Sequence, residues 1–131
     1  MSSDDGRPST VLVVEDDPDI RKMVDECLTT MGYETVLAAS GNEALRIIES
    51  DPTIDLMLTD VMMPGISGIT LAKRVMQMRP AIRILLTSAY MDDNVPPEDL
   101  PLLRKPFRFE DLENAVVATW AAGTWRDTPI A

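Results

Sequence analysis

The sequence is short of several things, and each shortage closes off a class of protein. It carries one cysteine, Cys27, so no disulfide can form within the chain. Set among apolar residues at helical spacing, that thiol reads as a core group and not as a redox centre. Positive charge is scarce: 12 basic residues stand against 22 acidic ones, a formal net charge of -10. A balance of that sign repels phosphate backbones and anionic lipid, so neither direct nucleic-acid binding nor membrane binding is expected. No apolar run approaches the roughly 18 residues of a membrane span. The polar segment from Met1 to Thr10 lacks the apolar stretch of a signal peptide. A cytoplasmic location is the expectation. Internal repeats and low-complexity tracts are also missing.

What is present suits one domain. The chain has 131 residues, 45% of them apolar, enough for a single compact core. Residues 1–9 (MSSDDGRPS) read as a flexible N-terminal arm, 10–122 as the folded domain and 123–131 as a C-terminal tail in which Trp125 stands out. Within the domain, short apolar runs alternate with amphipathic segments. The runs are Val11–Val14, Thr35–Ala39, Ile54–Thr59, Ile82–Thr87 and Leu102–Arg104. Several are apolar at consecutive positions, the mark of parallel strands covered on both faces.

The segments between them carry helix signals. Ile20, Met23, Val24, Cys27, Leu28 and Met31 recur at spacings of three and four, and Gly32 is placed to end that helix. Ser40 with Glu43 forms a capping-box pattern. Ser67 is the expected cap of a third helix, with Ala72, Val75 and Met76 on its inner face and Pro80 beyond its end. A last helix from about Arg108 to Ala122 presents Phe109, Leu112, Val116 and Trp120, with Gly123 placed to stop it. Strands alternating with helices predict an α/β fold, a doubly wound five-stranded parallel sheet with helices on both faces. Pro96, Pro97 and Pro101 interrupt the stretch from Met91 to Pro101, so the fourth helix, between the fourth and fifth strands, is expected to be short, displaced or absent.

Ligands of open α/β sheets sit outside the carboxyl ends of the strands. Here the first run closes with Glu15-Asp16-Asp17, the third with Asp60 and the fourth with Thr87-Ser88, while the fifth leads into Lys105-Pro106. Carboxylates brought that close repel one another, and a hard divalent cation such as Mg2+ is their natural neutraliser. An aspartate can attack phosphorus to give an acyl phosphate. A metal and a lysine would offset charge on the phosphoryl oxygens, and a hydroxyl would hydrogen-bond one of them. Together these groups make a coherent phosphoryl-transfer site. Asp17 reads differently: followed by Pro18, it suits a helix cap.

The strings VLVVEDDPDIR, LMLTDVMMPGISG, ILLTSAY and LLRKPF resemble, in order, the four signature segments of bacterial response-regulator receiver domains. The resemblance runs from about Thr10 to Ala122 and implies a flavodoxin-like fold. It implies Asp60 as phosphoacceptor and Asp16 as a direct Mg2+ ligand. Glu15 would act through metal-bound water, and the backbone carbonyl of Met62 would complete the protein ligands. Ser88, which precedes Ala89, matches the switch hydroxyl, with Thr87 as the neighbouring alternative. Lys105 matches the lysine that contacts the acceptor, and the Lys105–Pro106 bond is expected to be cis. Met62 and Tyr90 occupy positions that would control how water reaches an acyl phosphate.

The implied partner is a histidine kinase or a histidine phosphotransfer protein. The implied protein is a stand-alone receiver, or the terminal receiver of a hybrid kinase, monomeric or weakly dimeric. It would not be a conventional enzyme, since its only turnover would be its own phosphorylation and slow dephosphorylation. Two features depart from the family pattern: Leu102 stands where many receivers have an aromatic switch residue, and the stretch from Ser88 to Lys105 is short and proline-rich. Three rivals stand beside this reading. One is a degenerate receiver that only binds partners, or a phosphate sink with no output partner. Another is an aspartyl-phosphate hydrolase, for which Asp17-Pro18-Asp19 gives a formal DxD without the Gly-Thr that follows in that family. The third is an FMN binder, disfavoured because the acidic strand ends would repel its phosphate.

Overall fold

The computed structural model describes residues 10–89 and 100–122. Its elements alternate as the hydrophobic pattern requires: β1 Thr10–Val14, α1 Pro18–Thr30, β2 Glu34–Ala38, α2 Gly41–Ser50, β3 Ile54–Asp60, α3 Gly68–Met78, β4 Arg83–Ser88, β5 Leu102–Arg104 and α4 Phe109–Ala122. The strands form one sheet in the order β2-β1-β3-β4-β5, and every pairing is parallel. The order reverses at β1, so the crevice between the ends of β1 and β3 is where such a sheet accepts a ligand. The expected arm at 1–9, residues 90–99 with Tyr90, Pro96 and Pro97, on which the expectation for the fourth helix falls, and Gly123 and the tail with Trp125 lie outside the described residues.

Period-two alternation sorts the strand side chains into two cores. Leu12, Val14, Met57, Ile84 and Leu86 face α2 and α3, packing with Ala44, Ile48, Leu71 and Val75. Val11, Val13, Leu56, Leu58 and Leu85 face α1 and α4, packing with Val24, Leu28, Leu112 and Val116. Leu102, in the place of the familiar aromatic, is half-buried hydrocarbon against the first of these cores.

Helix ends are set by local chemistry. Asp17 caps α1, its Oδ1 accepting the N–H groups of Asp19 and Ile20, with Pro18 opening the first turn; such a cap contributes about 1 kcal/mol. Ser40 Oγ accepts the Glu43 N–H at the start of α2, and Ser67 Oγ accepts the Thr70 N–H at the start of α3. Gly32, with φ of 100°, takes the left-handed turn that ends α1. Two residues expected on inner helix faces are exposed. Met23 is 38% and Phe109 40% accessible, because both border a shallow hollow between α1 and α4, with Glu26, Cys27 and Thr30. Cys27 is half-buried, and burial pushes its thiol pKa up, as suits a packing group.

Candidate phosphoryl site at the carboxyl ends of the strands

The site continues one face of the sheet. Val11 and Val13 lead to Glu15, Leu56 and Leu58 to Asp60, Leu85 to Thr87, and Leu103 towards Lys105. Asp60 and Thr87 are direct register partners, and Thr87 in turn pairs with Leu103. Apolar below and polar at the rim, this face delivers its last side chains to one place.

Lys105 holds that place together. Its Nζ donates to Glu15 Oε1 at 2.9 Å and to Asp60 Oδ2 at 3.1 Å. The three side chains are 13%, 4% and 9% accessible, so the pairs are largely withdrawn from water. Glu15 is fully engaged, since its Oε2 accepts the Asp17 N–H at 3.2 Å. Asp60 Oδ1 has only a long contact, 3.4 Å from the Met62 N–H, and is the less committed oxygen of the acceptor.

Two charged groups here titrate away from their ordinary range. Burial raises the Glu15 carboxyl pKa; Lys105 and the Asp17 N–H oppose this, and the charge of Asp60 adds to it. For Lys105 burial works to lower the pKa, yet its bonds and charge contacts with Glu15 and Asp60 together raise it. The lysine is therefore held firmly cationic, and the carboxylates still outnumber it.

That surplus suits a cation. Oxygens of Glu15, Asp16 and Asp60 lie within 4.8 Å of one another, with Asp16 exposed and the other two buried. A hard oxygen set with one open side fits Mg2+, which keeps several of its own waters. Asp16 offers the free carboxylate, whereas Glu15 is already bonded on both oxygens and is better placed to act through water.

The two candidate hydroxyls are both buried at the end of β4 but are not interchangeable. Thr87 lies on the Asp60 face, whereas Ser88 continues the face of Ile84 and Leu86. The expected cis peptide is present between Lys105 and Pro106. Met62 is exposed, two residues beyond Asp60. Asp17 spends its carboxylate on capping α1, which leaves the formal DxD of the hydrolase rival without its first acid.

Two contributors escape sequence reasoning. Arg21 Nη1 donates to the Glu15 carbonyl at 2.8 Å, pinning the acidic loop to α1. Gly68 is needed for closeness: a Cβ there would sit 2.0 Å from the Asp60 carbonyl oxygen. Its N–H donates to the Val61 carbonyl at 2.8 Å, which draws the start of α3 against the acceptor strand. A glycine that closes the signature string, at the foot of a helix, was the available signal.

Comparison with known proteins agrees with this geometry. The family profile described as "Response regulator receiver domain" matches residues 11–117. The chain belongs to that family. It is a receiver domain of two-component signalling. The response regulator receiver protein CpdR of Brucella abortus is 32% identical over 111 residues, covering 81% of this chain and 92% of that protein. The sensor kinase CckA of the same organism is 35% identical, but this receiver spans only 12% of its length. Among solved structures, the response regulator TrrA of Thermotoga maritima, in complex with Mg2+-BeF, superposes with a TM-score of 0.75 at 31% identity, covering 85% of this chain and 98% of that one.

Proposed function

We propose that Asp60 accepts a phosphoryl group from a phosphohistidine of a histidine kinase or histidine phosphotransfer protein, and that the receiver signals through an altered protein–protein contact. The observation that carries this reading is Lys105 bridging Glu15 and Asp60 inside an acidic rim. A structural ion pair needs one carboxylate for one lysine; this rim keeps a negative excess that suits a divalent cation, with Lys105 placed beside the acceptor. The likeness to a sensor kinase and to a protein solved with Mg2+-BeF supports both the donor class and the metal.

In the transfer, an Asp60 carboxylate oxygen forms the new O–P bond as the N–P bond of the donor breaks, and the imidazole leaves with the electron pair. Lys105 holds Asp60 and is within reach of the incoming oxygens. Ser88 is the switch hydroxyl, to bond one phosphoryl oxygen. Asp16, Asp60 and the Met62 carbonyl would hold Mg2+, with Glu15 acting through water, and the bound metal would supply neutralisation of the phosphoryl charge. The receiver is not a conventional enzyme: it promotes its own phosphorylation and slow hydrolysis. It is cytoplasmic, monomeric or weakly dimeric, and binds neither nucleic acid nor membrane. Among the described residues no helix is long and apolar enough to cross a membrane.

The test compares wild type with Asp60→Asn, incubated with Mg2+ and a small acyl phosphate. Wild type is expected to form a hydroxylamine-labile adduct and to bind beryllofluoride, and the variant to do neither. No adduct and no beryllofluoride binding by wild type would leave a degenerate receiver that acts only as an interaction module.

A further inference from the structure

Thr87 presents a buried hydroxyl that nothing in the resting site uses. The residue is 1% accessible, and its Oγ1 has no hydrogen-bond partner among the described residues. A buried hydroxyl without a partner is costly, and strands normally find it a carbonyl. Thr59 on the neighbouring strand does so: it is equally buried, and its Oγ1 donates to the Asp60 carbonyl at 3.1 Å. Thr87 differs from Thr59 in location. It is the register partner of Asp60 and lies on the face that bears the acceptor, one strand across from it. On its other side it pairs with Leu103, which offers no polar side chain. The position across from it on that face carries Asp60, and in the resting site both Asp60 oxygens point to other donors, Met62 and Lys105.

We infer that Thr87 is a second hydroxyl of the phosphorylated state, donating to the acyl phosphate on Asp60 from the side while Ser88 serves the end of the strand. This deepens the phosphoacceptor reading and rests on it. The free receiver leaves the hydroxyl unbonded; modification turns Asp60 into an acyl phosphate, a mixed anhydride, and adds phosphoryl oxygens on the same face, where the hydroxyl gains an acceptor. Thr87 would touch the phosphoryl group directly, and its bond is made in one state only. The two states are thereby biased in opposite directions by a single group.

Opposite signs make the inference testable. Thr87→Val replaces the hydroxyl by a methyl of nearly the same shape. The melting temperature of the metal-free protein is expected to stay level or rise. Beryllofluoride binding with Mg2+, followed by tryptophan fluorescence or calorimetry, is expected to weaken about tenfold, the size of one hydrogen bond to a charged acceptor. Thr87→Ser, which keeps the hydroxyl, should restore binding to within about twofold of wild type, that residual allowance being well under one such bond. Should valine disturb the strand, Thr87→Ala removes the same group without added bulk and is expected to show the same loss. Unchanged binding in both the valine and alanine variants would overturn the inference, as would a serine variant as weak as valine. If wild type itself binds no beryllofluoride, the phosphoacceptor reading fails first and this one with it.

Discussion

At the carboxyl end of the sheet Lys105 is held by two carboxylates; at the amino end Arg79 is held by two carbonyls. Arg79, which caps α3, donates to the Ile54 carbonyl at the start of β3 and to the Ile48 carbonyl near the end of α2. Both cations are partly buried and both join elements far apart in sequence. Yet Arg79 bonds neutral groups in a fixed stoichiometry, so its contacts have nothing further to do. Lys105 faces more negative charge than it can cancel, and its partners keep ligand capacity in reserve. One cation fastens the fold, and the other keeps a site under electrostatic tension.

Breaking the charged end should have the larger effect. Lys105→Met leaves Glu15 and Asp60 buried side by side without their cation. The expected loss is about 3 kcal/mol in unfolding free energy, the low end for breaking a buried pair. Mg2+ should recover part of it, because the metal can take over the neutralising role. Urea melts in EDTA and in Mg2+ measure both quantities. A loss that Mg2+ leaves untouched would mean that the rim does not hold the metal.

Arg79→Met sharpens the contrast from the other side. Removing two charge-assisted bonds to backbone carbonyls should cost about 2 kcal/mol. That cost should be the same with and without Mg2+, and phosphoryl uptake from a small donor should keep its wild-type rate. A Mg2+-dependent cost would show that the two ends communicate and that the contrast is too sharp.

How much of this could be read from the sequence follows the range of the interactions. The apolar runs located all five strands to within a residue, since a buried parallel strand writes its pattern locally. Caps were equally legible: Asp17, Ser40 and Ser67 each act on a backbone N–H two or three residues on. Asp60 and Lys105 were legible because strand ends converge whatever the details. Other features depend on geometry that spacing does not carry. Arg21 reaches the Glu15 carbonyl from the second turn of its helix, and Gly68 touches the backbone of Asp60 across a loop. Which face receives Thr87 and which receives Ser88 turned on a register set by β3. Met23 and Phe109 satisfied the helical period, but among the described residues no element covers the mouth of the hollow they border.

The smallest effect concerns Glu15, the residue that feels both sides of the contrast. Burial raises its pKa first; Lys105 and the Asp17 N–H pull the other way, and the charge of Asp60 reinforces the rise. The folded state therefore holds a proton at Glu15 more tightly than the unfolded chain, where the value is about 4.3. The stability from that proton is present in full below the unfolded value and is lost as pH rises through the folded one. Glu15→Gln cannot ionise and keeps one acceptor oxygen in place of two, so one of the bonds from Lys105 and the Asp17 N–H is lost at every pH and sets a constant offset. In EDTA, the variant should gain stability relative to wild type as pH rises above the unfolded carboxyl value of about 4.3, since wild type loses the stability of its proton there. In Mg2+ the gain should shrink, because a metal beside the rim favours the ionised glutamate. Urea midpoints across that range decide it: a flat difference, or one that falls with rising pH, would show that Lys105 outweighs burial and that the carboxyl end is balanced as neatly as Arg79 balances the other.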